Sequence, residues 1–381
     1  MSELANSTCQ PRPAYLAGEI REIRTPSMFE HVVAEGVGTK CVLRQTGVVW
    51  RAAQSVTARG LGLGAGYALI HSDFILQQLA PDDVDYELTG LRHIGPWVVF
   101  RIATRYSVDI GIDGHNLTRC VRAPEWWQSR VAAVFGQAHM LSQTPKGMCT
   151  IITWAPDAAL HAAFGRFTAR MRRARTWDRR RERFNGRMRR LWWPLPDESR
   201  LYTALANKQV ALVGNAESLA ERDYGSQIDD ADIVVRCNRG VIVDVRSHGR
   251  RTDWLCTALP ISRAEAERRG VSRIIWASRR RMMIRNIPSW MMASRDFYLF
   301  SRERNEELRE MFGKVASTGL KALDTLARSN CRSLSVFGFD FAQSASASDP
   351  TRPMSTDHDF DAERCYALDL AARDPRLTLY R

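Results

Sequence analysis

From about residue 205, the chain alternates short apolar runs with amphipathic segments, and this rhythm limits the fold more than any other feature. The apolar runs predict strands at 209–213, 232–236, 253–256, 273–277, 296–300, 333–337 and 376–380. Between them we expect helices at 216–222, 261–269, 302–312, 318–329 and 361–372. Such alternation implies an α/β fold with a mostly parallel sheet and helices on both faces. Ligands of these sheets bind beyond the carboxyl ends of the strands.

The preceding sequence suggests two further regions. Residues 1–155 combine strand-like runs at 40–50 and 96–112 with a helix expected over 124–141, which predicts a smaller α+β accessory region. Residues 156–194 follow as an arginine-rich amphipathic helix or linker, and 200–381 form the α/β domain. The chain of 381 residues is long enough for two domains.

The arginine-rich segment carries most of the excess charge of the chain. Twelve arginines and two acidic residues lie between 166 and 190, and the whole chain has a net charge of +13. A linker helix with a solvated basic face is one interpretation. A helix on an anionic membrane surface is another, because Trp177, Trp192 and Trp193 suit the membrane boundary. We expect no nucleic-acid partner, because no nucleic-acid-binding fold or aromatic platform is recognisable.

Several protein classes are disfavoured by the sequence. We find no apolar run long enough for a transmembrane helix and no signal peptide at the start. The eight cysteines are scattered without a C-x-x-C pair, which argues against a disulfide scaffold or a zinc site. This pattern fits a reducing compartment, and we expect a cytoplasmic protein.

The stretch "KQVALVGNAESLAERDYGSQIDDADIVVRCNRG" at 208–240 predicts a strand, a tight turn, a helix and a second strand. Gly214 permits a tight turn and close approach to a ligand. Asn215 could bind a ribose or a base edge. We expect free N–H groups at the following helix start, which would suit a phosphate. The alternative is an ordinary β–α turn.

Two later stretches add polar groups at the same edge of the predicted sheet. Ser317-Thr318-Gly319 precede a helix, so they are either an N-cap or a site for a carboxylate or phosphate. His358 lies in a polar loop before the last helix, where it is either a bystander or a general base. Glu363 lies in the first turn of that helix, a position that also suits the helix dipole.

In order and spacing, these three stretches resemble the sialylmotifs of glycosyltransferase family 29, the sialyltransferases. "VGN", the R-x-N at Arg236 and Asn238, and "HGRRTD" at 248–253 resemble the large motif. Ser317-Thr318-Gly319 with Cys331 and "VFGF" resembles the small motif, and His358 with Glu363 resembles the very small motif. The resemblance covers about 205–381 and implies a Rossmann-like, GT-A-like fold of bacterial type. The bacterial family 42 sialyltransferases share the "GN" and "RCN" elements.

The resemblance implies an inverting, metal-independent transfer of sialic acid, or a related ulosonic acid such as Kdo, from a CMP-activated donor. The acceptor would be the hydroxyl of a glycan or glycolipid. No cofactor is expected, and the literal D-x-D at 230–232 is interpreted as turn and strand-entry residues. His358 would be the catalytic base, with Glu363 and Arg236 as supporting residues. The donor-binding residues would be Gly214, Asn215, Ala216, Asn238, Ser317, Thr318 and Gly319.

Other functions stay open at this point. The domain could be a catalytically inactive protein that binds a nucleotide or glycan. A nicotinamide-dependent enzyme is disfavoured, because Ala216 replaces the second glycine of the dinucleotide turn.

The sequence also departs from the family pattern. Val210 stands where animal members have the cysteine that pairs with the small-motif cysteine, so we expect Cys331 to lack that disulfide. We recognise no N-terminal membrane anchor, for which the 166–193 segment could substitute. The motif that contacts the donor phosphate is not recognisable between Gly338 and His358, and an arginine could take its place.

Overall fold

The computed structural model describes residues 19–22, 41–46, 68–94, 96–111, 113–144, 147–156, 169, 198–348 and 357–380. The chain divides into two compact units, Met1–Thr104 with Leu117–Thr168 and Arg105–Asn116 with Ala169–Arg381. The segment 105–116 therefore groups with the C-terminal part of the chain. One contact behind this grouping is the Asn116 side chain, which donates to the Ile242 carbonyl at 2.7 Å. The arginine-rich helix expected at 156–194 lies almost wholly outside the described residues.

The first unit is built on a mixed sheet with the strand order β1-β2-β3-β4-β6-β5. Its strands are β1 (Glu19–Glu22), β2 (Cys41–Thr46), β3 (Ala68–Asp73), β4 (Trp97–Ala103), β5 (His139–Thr144) and β6 (Met148–Ile152), and its helices include α1 (Val84–Ile94) and α2 (Pro124–Phe135). Strands β2, β3 and β4 run parallel, whereas β1, β5 and β6 join antiparallel. This arrangement fits the α+β class expected for the region.

The helix expected over 124–141 is shorter than predicted. It ends at Phe135, because Gly136 adopts a left-handed conformation with φ 83° and caps the helix. The apolar residues after Gly136 belong to β5 instead.

The second unit contains a seven-stranded sheet in the order β11-β10-β9-β8-β7-β12-β13, and every pair of neighbours is parallel. The strands are β7 (Gln209–Val213), β8 (Ile233–Cys237), β9 (Trp254–Thr257), β10 (Arg273–Trp276), β11 (Phe297–Leu299), β12 (Ser333–Phe337) and β13 (Leu377–Tyr380). All seven predicted strands are confirmed, and each bound differs from the prediction by at most one residue. The α/β class is likewise confirmed.

The helices of this unit are α3 (Glu198–Leu205), α4 (Gly225–Asp229), α5 (Val245–His248), α6 (Arg263–Arg268), α7 (Arg281–Arg285), α8 (Ser289–Met292), α9 (Arg302–Phe312), α10 (Thr318–Ala327) and α11 (Phe360–Arg373). The predictions at 302–312, 318–329 and 361–372 correspond to α9, α10 and α11. The segment expected to be a helix at 216–222 is a 3-10 turn, Glu217–Glu221.

The strand order determines where a ligand can bind. The chain runs from β7 to β8 on one side, and β12 joins β7 on its other side, so the order of connection reverses between β7 and β12. In open parallel sheets, the crevice at such a reversal is the usual ligand site. Helix α10 packs close to this point, with Leu320, Leu323 and Leu326 buried in one core cluster with β7 and β12. Each fully buried leucine contributes about 1.5–3 kcal/mol to the hydrophobic stabilisation.

No helix within the described ranges is long and apolar enough to cross a bilayer.

Candidate active site

The turn after β7 makes its backbone hydrogen bonds with the loop after β12. The N–H group of Ala216 donates to the Gly338 carbonyl at 3.2 Å, and that of Glu217 donates to the Ala345 carbonyl at 2.9 Å. The N–H group of Ser218 donates to Ser344 Oγ at 3.2 Å. The expectation of free N–H groups at this turn is therefore not met, because residues 338–345 cover it.

Gly214 is required by the close approach of these two loops. A Cβ atom at this position would lie 2.2 Å from the Gly338 carbonyl oxygen and 2.8 Å from the ring of Phe339. Both distances are too short for any side chain to be accepted without moving the backbone.

The ring of Phe339 connects the first motif with the second. A Cβ atom at Gly319 would lie 3.0 Å from the same ring that contacts Gly214. The turn at 214–215 and the start of α10 therefore pack against one aromatic side chain. The sequence predicted these two segments at one cleft, and the structure brings them together. Phe339 itself was not proposed as a site residue, although it is the last letter of the "VFGF" signal.

The two asparagines lie at the carboxyl ends of β7 and β8. Asn215 donates its Nδ2 to the Cys237 carbonyl at 3.0 Å. Its Oδ1 is buried and has no hydrogen-bond partner among the described residues. Asn238 adopts a left-handed conformation with φ 53°, which asparagine tolerates better than most residues, and its N–H group donates to the Cys256 carbonyl at 2.7 Å. Oδ1 of Asn215 is therefore an acceptor that no described residue satisfies.

Ser317 is held by Glu363 across 46 residues of sequence. Its N–H group donates to Glu363 Oε1 at 2.6 Å, and its hydroxyl donates to Oε2 at 2.7 Å. The same hydroxyl accepts a hydrogen bond from Leu320 N at 3.1 Å and caps α10. Because the hydroxyl is already engaged, Thr318 and Gly319 are the members of this turn that can more easily face a ligand.

Glu363 is only 2% exposed, so its carboxylate is removed from water. Burial raises its pKa, and the two hydrogen bonds from Ser317 oppose this effect. Through these two hydrogen bonds, the buried carboxylate of Glu363 positions the start of α10.

His358 is oriented by a backbone carbonyl. Its Nδ1 lies 2.6 Å from the Val315 carbonyl oxygen, which can only accept, so this contact requires the proton on Nδ1. In the neutral ring, Nε2 then carries the lone pair that a general base needs. The two adjacent aspartates contact other groups: Asp357 pairs with Arg280 at 2.8 Å, and Asp359 accepts from Ala362 N at 3.0 Å.

Arg236 supports the site from inside the fold. It is 1% exposed and donates to the carbonyls of Arg251 at 2.8 Å and His248 at 2.7 Å. Burial lowers its pKa to about 9. The guanidinium therefore fastens the "HGRRTD" segment at 248–253 to β8.

The D-x-D at 230–232 lies at the other edge of the sheet. Asp232 accepts a hydrogen bond at 2.8 Å from the N–H group of Gln209, the first residue of β7. Asp230 ends α4. These aspartates therefore act in the turn and strand entry, far from the carboxyl ends of the strands.

A cavity of about 280 Å³ opens at the carboxyl ends of β7, β12 and β13. Gly338 and Phe339 belong to its wall, whereas none of the site residues predicted from the sequence lines it. Its charged lining residues are Arg222, Asp340 and Arg364. Asp340 is engaged by the Ser218 hydroxyl at 3.1 Å and by Ser344 N at 2.9 Å. The sequence did not single out Arg222 or Arg364, because the elements that bring them together are distant along the chain.

Residues 188–274 of the chain match the model of glycosyltransferase family 29 (sialyltransferase). A mammalian sialyltransferase in complex with Gal-beta-1-3GalNAc-ortho-nitrophenol is 18% identical, with 53% of this chain and 78% of that chain covered and a TM-score of 0.34. The sialyltransferase CstII from Campylobacter jejuni, in complex with the substrate analogue CMP-3FNeuAc, is 15% identical, with 45% and 81% covered and a TM-score of 0.33. No curated protein matches the chain.

Proposed function

Because the chain carries a glycosyltransferase family 29 domain, the domain of the sialyltransferases, we propose that it transfers sialic acid or a related ulosonic acid such as Kdo. The donor is the CMP-activated sugar, and the acceptor is the hydroxyl of a glycan or glycolipid. Transfer proceeds with inversion and without a metal ion.

The orientation of His358 is the observation that carries this proposal. The Val315 carbonyl fixes the proton on Nδ1 and leaves Nε2 as the basic atom. The ring precedes α11, whose Glu363 is bonded to Ser317 at the start of α10. A base is thus tied to the same helix start that resembles a donor-binding motif.

The proposed reaction is a direct displacement. Nε2 of His358 takes the proton of the acceptor hydroxyl while the acceptor oxygen forms a bond to the anomeric carbon. The bond from that carbon to the phosphate oxygen breaks, and CMP leaves with the electron pair. Because the nucleophile attacks opposite the leaving group, the configuration inverts.

In this proposal, the donor nucleotide binds beside the 214–215 turn and the start of α10, the two segments that pack against Phe339. Oδ1 of Asn215 has no partner among the described residues, and we assign it a hydrogen bond from the nucleoside. The guanidinium groups of Arg222 and Arg364 in the adjoining cavity suit the phosphate, for which the sequence offered no motif. Gly214, Ala216, Asn238, Thr318 and Gly319 complete the proposed donor site.

We further propose that the enzyme works in the cytoplasm at an anionic membrane surface, which it contacts through residues 166–193. The twelve arginines and flanking tryptophans of this segment support the proposal. The test is sedimentation with vesicles of anionic and of neutral lipid. Binding to anionic vesicles alone is expected, and equal recovery with both would leave the segment as a linker.

The test of the reaction is CMP release from CMP-sialic acid and from CMP-Kdo. The wild-type protein should hydrolyse or transfer one of the two sugars, and His358→Ala should lose this activity while it still binds CMP. His115→Ala is the matched control, because His115 is an exposed histidine of the same unit. CMP binding without turnover of either donor would indicate an inactive nucleotide-binding protein. Full activity of His358→Ala would remove His358 from the mechanism.

A further inference from the structure

The loop that follows β10 contains three consecutive arginines that the proposed reaction does not use. Arg279, Arg280 and Arg281 lie directly after the carboxyl end of this strand, the edge at which ligands of parallel sheets bind. Arg285 follows one helical turn later. We refer to residues 278–281 as the arginine loop.

Arg279 has a binding capacity that the fold leaves unused. Its Nε is buried and has no hydrogen-bond partner among the residues that the structure describes. Burial lowers the pKa of its guanidinium, and the nearby Glu303 only partly offsets this. A buried guanidinium N–H without a partner is unfavourable, and an oxyanion at this position would remove the deficit.

A further cation lies beneath the loop. Lys321 in α10 is 3% exposed and donates to the Ala277 carbonyl at 3.1 Å and to Asn305 Oδ1 at 2.7 Å. Burial lowers its pKa to about 8, and both Arg280 and Arg279 act in the same direction. Lys321, Arg279 and Arg280 therefore bring three basic groups close together at the end of β10.

The arginine loop is adjacent to the proposed base. The guanidinium of Arg280 pairs with the carboxylate of Asp357 at 2.8 Å. Asp357 immediately precedes His358, and consecutive Cα atoms lie about 3.8 Å apart. A saccharide whose hydroxyl reaches His358 would therefore lie close to the arginine loop.

We propose that Arg279 and Arg281 form an anion-binding subsite that holds a carboxylate or phosphate group of a saccharide substrate beside His358. This inference rests on the proposed function and specifies its substrate class. Arginine suits the task, because its planar fork matches both oxyanions and stays charged. The anion belongs to the acceptor or to the carboxylate of the donor sugar, and the two sources are separable by kinetics.

The kinetic test compares a neutral lactoside with the same lactoside bearing a phosphate group, using the donor that the wild-type protein accepts. The variant is Arg279→Gln with Arg281→Gln, and Arg280 is retained because of its contact with Asp357. The preference for the phosphorylated acceptor should fall at least tenfold if the acceptor supplies the anion. A tenfold rise in the KM of the donor would assign the anion to the donor carboxylate. An unchanged acceptor preference together with an unchanged donor KM would overturn the subsite.

Arg332→Gln with Arg373→Gln is the matched control. Both side chains are exposed and lie next to the amino ends of β12 and β13, so this variant removes the same charge at the opposite edge of the sheet. It should retain the wild-type acceptor preference and donor KM. If both double variants lost acceptor preference or donor affinity equally, the loss would be an effect of net charge alone. That result would contradict the proposal.

A binding measurement separates this inference from the proposed function. With CMP present in saturating amount, galactose 6-phosphate should raise the Tm of the wild-type protein, whereas galactose should not. The rise should disappear in Arg279→Gln with Arg281→Gln. If CMP does not bind at all, the proposed function fails, and the galactose 6-phosphate shift still tests the subsite. A shift that persists in the double variant would refute it.

Discussion

The hydrogen bonds between Glu363 and Ser317 make the sharpest prediction about this site. Glu363→Ala removes two hydrogen bonds that Ser317 donates to a charged carboxylate. It leaves the Ser317 N–H group without a partner. Hydrogen bonds to charged groups contribute about 1.5–3 kcal/mol each. Loss of both bonds could therefore lower the free energy of unfolding by at most about 3–6 kcal/mol. The raised pKa shows that the buried carboxylate is itself unfavourable, and we expect a loss of about 3 kcal/mol.

Glu363→Gln should be much milder. Its carbonyl oxygen can still accept from the Ser317 N–H group, and its amide can donate to the Ser317 hydroxyl, so the cost should be about 1 kcal/mol. Asp361→Ala is the matched control, since Asp361 is an exposed acid in the same first turn of α11. Losing a carboxylate from a helix start costs about 0.3–1 kcal/mol.

Urea unfolding and CMP titration measure the two consequences. The free energy of unfolding should decrease in the order wild type, Glu363→Gln, Glu363→Ala. The affinity for CMP should fall about tenfold in Glu363→Ala, because the start of α10 is no longer fixed. If Glu363→Ala were no less stable than Asp361→Ala, the hydrogen bonds between Glu363 and Ser317 would not stabilise the fold. Our account of Glu363 would then be wrong.

Three further predictions concern acid, backbone and metal. His248 is 1% exposed, and burial together with Arg236 lowers its pKa to about 3, so the unfolded chain takes up a proton near pH 6.5 that the folded one refuses. Stability should therefore fall by up to about 5 kcal/mol as the pH drops from about 6.5 towards 3, and His248→Gln should flatten a plot of Tm against pH in this window. Gly214→Ala should lower the free energy of unfolding by more than about 2 kcal/mol, since its Cβ meets a carbonyl oxygen at 2.2 Å, whereas Gly90→Ala meets no atom within 4 Å and should not destabilise. Removal of divalent metals with EDTA should leave CMP release unchanged, and a loss that Mg²⁺ restores would contradict the metal-independent mechanism.

The strands of the second unit could be predicted because each is a short apolar run between polar segments. In a parallel sheet covered on both faces, both sides of each strand are buried, so its residues are nearly all apolar. Helices α9, α10 and α11 have ten or more residues and a visible period. Helices α4, α5, α7 and α8 have four or five residues, which is too short for a period of 3.6 to appear.

The contacts that define the site were less accessible to sequence reasoning. The Ser317–Glu363 pair joins residues 46 positions apart, and nothing local to either residue reveals the other. The cover that residues 338–345 place on the 214–218 turn depends on the path of a loop, which no propensity describes. The motifs identified the segments, but the division between ligand-facing and structural atoms became visible only in three dimensions.

The site owes its geometry to two attachments between α10 and the segment that starts α11. Val315, two residues before Ser317, orients His358, and Glu363 holds Ser317 itself. The proposed base and the start of α10 are therefore joined by hydrogen bonds into one piece of the fold, although they are distant along the chain. Because Phe339 packs that piece against Gly214, a shift of α10 would move both the base and the nucleotide site together. Residues that never touch substrate, such as Glu363, should consequently affect donor affinity and turnover at the same time.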